Sequence, residues 1–314
     1  MASIKEVAQG IRQHIIEHFD WRVYSYTALF LIITIAINYS IDFEDSILDQ
    51  SFKTPWGFLF YPLFYAFPYF AIALPQAYWK KSLLVLKKLG FWKKSLAFLL
   101  LLGFTKAFYF HHFLIDGLED KIVAYFIQKI ARHLIRIIGY LLVLWILKTM
   151  WDKEIKGIYG LHFSKFDYKP YLLMLLLMLP LIAWASFQPA FLKTYPMYKF
   201  WYYNTVGILE AWQSGVFYEI SYGLNFISVE LFFRGALVIG MASLLGKDAV
   251  LPMVATYAFL HFGKPMAETI GSIFGGYILG VVALQTRSIL GGVVIHVGVA
   301  LAMDTAAYIQ HFKS

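Results

Sequence analysis

The chain has 314 residues, 60% of them hydrophobic and 19% aromatic, with a mean hydropathy of +0.63. Soluble globules are about 45–50% apolar, so this composition excludes a water-soluble domain and points to an all-α, polytopic transmembrane helical bundle. The formal net charge of +8 would suit nucleic acid, but the lysines sit in short runs between apolar spans and form no groove-sized patch. The partner it implies is membrane lipid, anionic on the cytoplasmic side, and no nucleic acid is expected. Cysteine is absent, which rules out disulfides, thiol catalysis and cysteine-ligated metal.

Near the N-terminus, Ile4, Val7, Ile11 and Ile15 recur at helical intervals with charges between them, the pattern of an amphipathic helix lying in the membrane interface. The segment lacks the succession of basic start, apolar core and small-residue cleavage site that marks a removable signal peptide. His14 and His18 stand four apart, a metal-ligand spacing, yet on an exposed amphipathic helix they are expected to be solvated. A first span follows near 24–40, flanked by Trp21, Tyr24 and Tyr26, and then an acidic loop with Asp42, Glu44, Asp45 and Asp49. The second span, Trp56 to Trp79, contains Pro62, Pro68 and Pro75 and should be kinked. The loop after it holds Lys80, Lys81, Lys87, Lys88, Lys93 and Lys94, and the positive-inside rule places it, with the N-terminus, in the cytoplasm.

Span three, about 95–113, ends in His111 and His112. Adjacent histidines on a helix point about 100° apart and do not readily share one metal, so they read as interfacial anchors. Residues 121–136 carry Lys129, Arg132, His133 and Arg136 among Ile and Phe and run into the apolar stretch 137–150, as one helix entering from the interface would. The polar stretch 151–170, with His162, reads as a cytoplasmic loop. It divides the chain into a front part, 1–170, with the amphipathic helix and about four spans, and a rear membrane core, 171–314. Span five occupies about 171–188, and the Tyr- and Trp-rich 189–215 reads as an interfacial cover.

The chemistry begins at 216–242, a run apolar enough to cross a bilayer that nevertheless carries Glu219, Glu230 and Arg234. Ionisable groups in such a segment are costly and functional by default. Glu230 and Arg234 lie one turn apart and can pair, as they also would in a purely structural clasp. Glu219 is about 16 Å along the axis from Glu230, too far for one site. Span seven, 249–262, is short and stops at Gly263, Lys264 and Pro265, leaving His261 at a helix end. Span eight, 267–286, opens with Glu268 and carries Gly271, Gly275, Gly276 and Gly280, small residues suited to close helix packing. Span nine, 288–309, holds His296 and, two turns on, Asp304. About eight or nine spans are expected in all, in an integral, multi-pass protein of the inner or plasma membrane. A transporter, with Glu, Arg and His along an ion path, would predict an internal repeat, and the two halves show none.

In order, spacing and membrane setting, VELFFRG at 229–235, YAFLH ending at His261, and GGVVIHVGVA containing His296 resemble the CPBP family of intramembrane proteases. That family includes the CAAX-processing endopeptidases and the Abi proteins of bacteriocin-immunity type. Its pattern is EExxxR, then an aromatic residue four before a His, then HxxxN. The resemblance implies an endopeptidase acting on a membrane-associated peptide or protein substrate. Position by position, His261 takes the water-activating role and His296 the oxyanion role, while Glu230 and Arg234 match the pair that orients the site. The expected catalytic set is Glu230, His261 and His296, supported by Arg234 and Glu268. Two positions depart from the pattern: the first Glu is Val229, and the Asn after His296 is Ala300. Either Glu230 or Glu268, just past the turn after His261, would then supply the missing carboxylate. Without such a replacement the chain is a catalytically weakened or inactive member that binds a peptide or partner. The cofactor is none, or a divalent metal such as zinc held by Glu230, His261 and His296 with water in the fourth position.

Overall fold

The structure, a computed structural model, describes residues 4–163 and 166–313, and the side chains of Phe110 and His111 lie outside what it describes. The first helix, α1 (Ile4–His18), leads into α2 (Trp21–Ile41), where the Asp20 carboxylate caps the start by accepting from Arg22 N at 3.0 Å. Next come α3 (Gly57–Trp79), which keeps all three prolines inside one helix, and α4 (Leu89–Ala107) packed along it. Then α5 (Lys121–Trp151) rises as a single helix of about 46 Å, capped by Asp120. Its two halves, amphipathic and apolar, are continuous, as expected. Span three is displaced from its expected bounds: α4 stops at Ala107, and 110–114 form a separate 3₁₀ turn.

The rear part consists of α6 (Lys169–Ala185), α7 (Pro189–Thr194), a hairpin of β1 (Thr205–Val206) and β2 (Leu209–Glu210), and α8 (Ala211–Glu230). The chain continues into a π-helix at Leu231–Gly240, a short α9 (Ala242–Leu245), α10 (Val250–Leu260), α11 (Met266–Thr286) and α12 (Leu290–Lys313). Six described runs are long and apolar enough to cross a membrane, and Lys169–Ala185 is a shorter apolar helix. One of the six, Ala211–Leu260, doubles back on itself. Phe233 meets Tyr257 with ring centroids 4.9 Å apart, and Val238 and Val250 both approach Gly280. Outward faces such as Leu29, Ile32 and Ile37 on α2, or Leu177, Leu181 and Trp184 on α6, are exposed and apolar. Faces of this kind contact lipid, and the protein is an integral, multi-pass membrane protein.

The largest core cluster draws on both parts of the chain, from Val23 to Ile289. The loop 151–170 is less peripheral than its polarity implies. Tyr159 is fully buried and donates to Asp152 Oδ2 at 3.0 Å, Asp152 pairs with Lys94, and Gly160 O accepts from Ile289 N at 3.1 Å. The expectation of a solvated His14 is overturned: it is 3% exposed. The cause is that α1 folds against α11, placing the His14 ring 6.0 Å from Tyr277, while Gln285 donates to Gly10 O at 2.8 Å. Among the four glycines of α11, Gly276 and Gly280 meet α10, whereas Gly271 and Gly275 face open space.

Candidate active site

The end of α8 passes directly into the π-helix, whose ten residues are all buried. Wide turns of this kind inside α-helices often mark functional positions. Glu230 is 0% and Arg234 1% exposed. A lone carboxylate there would be prohibitively costly, and Arg234 Nη1 offsets its charge from 3.0 Å. The guanidinium also lies over the Tyr257 ring, 4.3 Å from its centroid.

Glu230 Oε1 is also reached by His296 from α12, with Nδ1 at 2.9 Å. The other oxygen, Oε2, is buried without a hydrogen-bond partner and faces Gly292, where a Cβ would overlap it. Glycine at 292 is therefore what lets α12 close on the carboxylate. A neutral His296 with its proton on Nδ1, toward Glu230, presents Nε2 as an acceptor to the Tyr257 hydroxyl 3.3 Å away. The Phe226 ring, at 4.3 Å, flanks the imidazole.

Tyr257 links this group to His261. Their ring centroids are 4.5 Å apart, and His261 Nδ1 donates to Tyr257 O at 2.9 Å. A carbonyl only accepts, so the proton sits on Nδ1 and Nε2 is left with a free lone pair. Gly276 of α11 lies against the Tyr257 ring. The turn after His261 is fastened from two sides: Asn38 donates to Phe262 O at 3.1 Å, Tyr39 to Lys264 O at 2.6 Å, and Thr269 to His261 O at 2.6 Å. Against the same turn, at Gly263, lies Glu44, whose carboxyl is pushed up to about 7 by burial, against the pull of Lys106.

Thus Glu230, Arg234 and His296 are in direct contact, and His261 joins them through Tyr257. Glu268 does not enter that chain of contacts; it accepts from Tyr195 of the interfacial cover at 2.7 Å. Val229 is half-buried and packs on the main core, and Ala300 is buried among Phe126, Tyr198, Tyr218 and Tyr222. Glu219 accepts from Tyr308 at 3.0 Å, and Asp304 accepts from Met197 N at 3.1 Å, so both belong to the packing of α8 and α12 beneath the cover. Tyr257 is the residue whose role sequence reasoning missed. The motif signals an aromatic ring four before His261, but the use of its hydroxyl depends on α12. The donor atoms of Glu230, His261 and His296 do not converge as a metal set requires. Among the described residues, only Glu44, Asp45 and Asp49 bring three ligand atoms within 4.8 Å of one another, and no metal is assigned to the motif residues.

Residues 211–302 match the family model described as Type II CAAX prenyl endopeptidase Rce1-like. Neither the curated proteins nor the solved structures gave a match.

Proposed function

We propose, because residues 211–302 match the family model of a type II CAAX prenyl endopeptidase, that the chain is an endopeptidase hydrolysing a peptide bond of a membrane-associated substrate. The observation that carries the reading is the polar chain Glu230–His296–Tyr257–His261, closed around a buried carboxylate by Arg234. In this reading His261 Nε2 takes a proton from water, the hydroxide attacks the carbonyl carbon, and the imidazolium returns the proton to the leaving amine. Substrate turns the Tyr257 hydroxyl from His296 Nε2 to the oxyanion, and His296, held by Glu230, donates there from Nε2 when both its ring nitrogens carry a proton. Glu230 and Arg234 hold His296 in place, and Glu268 supports the site through Tyr195. No step is routed through a metal.

The family description names a prenyl endopeptidase, so the substrate class we propose is a C-terminal peptide bearing an isoprenoid-modified cysteine. The front part, 1–170, would serve as scaffold and the rear part, 171–314, as the catalytic core, in an inner or plasma membrane. The second reading, a weakened or inactive member, draws on Val229 and Ala300, whose side chains pack in apolar surroundings where the family pattern has polar ones. The test is mass-spectrometric detection of cleavage of a prenylated peptide and its unmodified counterpart by wild type and Val229→Glu in one detergent. Wild-type cleavage with little gain in Val229→Glu supports the endopeptidase. Cleavage by Val229→Glu alone supports the weakened member, and no cleavage by either overturns the assignment of protease chemistry to these residues.

A further inference from the structure

We propose that the cavity between α3, α4 and α5 lined by Lys106, Arg132 and Arg136 binds a phosphate oxyanion, presented in the membrane by an anionic lipid headgroup. The cavity encloses about 170 Å³ and also takes in Asp49, Tyr61 and Thr105. Lys106 comes from the last turn of α4, while Arg132 and Arg136 stand one turn apart on α5 and share a face. Asp49 is the only carboxylate in the lining, and it already accepts from the Tyr61 hydroxyl at 2.6 Å. Among the described residues no acid lies within ion-pair distance of any of the three cations. All three are half-buried.

Three like charges sharing a partly desolvated cavity repel one another and lose hydration. Lys94 and Arg234 elsewhere in this chain are each clasped by an acid; these three make no such ion-pair contact, although Glu44 and Asp49 attract Lys106 from farther off. An anion in the cavity supplies the missing partner, and guanidinium forks suit the oxygens of a phosphate. The placement favours lipid as its source. Because α4 is about 28 Å long, Lys106 lies at the end of the bundle opposite the lysine-rich turn before α4. In the proposed orientation the headgroup therefore belongs to the leaflet facing away from the cytoplasm, distinct from the lipid met by the lysine-rich loop. Leu134 and Ile138, next to the arginines on α5, point outward at 42% and 63% exposure. A headgroup can therefore enter while its acyl chains remain on the apolar face of α5.

The test reads Tm in two arms: the protein in phosphatidylcholine nanodiscs with increasing phosphatidylglycerol, and the protein in neutral detergent with increasing inorganic phosphate. Phosphatidylglycerol is expected to raise the wild-type Tm saturably. The double variant Arg132→Gln, Arg136→Gln should need about ten-fold more lipid for the same rise. Lys129→Gln, on the same helix but seated over the Tyr125 ring, should stay within about two-fold of wild type. Should the double variant not purify folded, Lys106→Gln on the opposite wall carries the same comparison. A response to inorganic phosphate but not to phosphatidylglycerol keeps the oxyanion site and overturns the lipid as its source. Equal loss in Lys129→Gln, or no response in either arm, overturns the proposal.

Discussion

Glu230 is the residue on which the site turns, because its Oε1 is shared by Arg234 and His296 while both partners also touch Tyr257. Arg234→Ala would leave the carboxylate facing His296 alone in a buried setting. Breaking such a pair costs about 3–5 kcal/mol. Thermal unfolding in detergent should show this loss for Arg234→Ala and a smaller one for Arg234→Lys, which keeps the charge; unchanged melting of the alanine variant would show that the contact carries no energy. At this scale the motif residues were legible because their chemistry is improbable in an apolar run, and the Glu230–Arg234 pair because four-residue spacing brings helix neighbours together. The reach of His296 to Glu230 was not legible. It depends on Gly292, whose significance appears only once α12 lies against α8. Nor was the diversion of Glu268 to Tyr195, a contact across 73 residues made by the folding of the cover.

Elements were read best where one helix faces lipid on one side and core on the other, as α2, α3, α5, α11 and α12 do, since apolar length alone marks them. Reading failed where a polar surface is answered by another element. The amphipathic α1 was expected to lie free in the interface with solvated histidines, but it docks on α11, and burial lowers the His14 pKa from 6.5 to about 4, with His18, Lys247 and Lys80 adding like-charge repulsion and Asp248 opposing it. The folded form thus resists protonation that the unfolded form accepts. The stability from docking is complete above about pH 6.5 and falls as the pH drops toward 4, by on the order of 1–3 kcal/mol. Limited proteolysis of α1 across this range should show growing release as pH falls, and His14→Gln should flatten the dependence. Equal pH dependence in that variant would contradict the burial argument. The loop at 151–170 misled for a related reason, since Tyr159 and Asp152 find their partners in the core and on α4.

At the scale of the whole molecule, composition settled the membrane bundle, while the number of crossings was blurred by the fold-back within 211–260. The orientation we propose puts the lysine-rich loop in the cytoplasm and the acidic loop at 42–49 on the other side. The native chain has no cysteine, so a single cysteine at Leu84 or at Asp45, both exposed, reports one position at a time. Leu84 should label only from the cytoplasmic side and Asp45 only from the other; labelling of both from one face would refute the orientation. The claim that this bundle is a protease rests most directly on His261, the motif base whose hydrogen bond at Nδ1 leaves Nε2 with a free lone pair. General acid–base catalysis is worth about 10²–10⁴-fold, so His261→Ala should lower kcat for a membrane-associated peptide by that much with Tm retained. Cleavage at the wild-type rate by a folded His261→Ala protein would contradict the account.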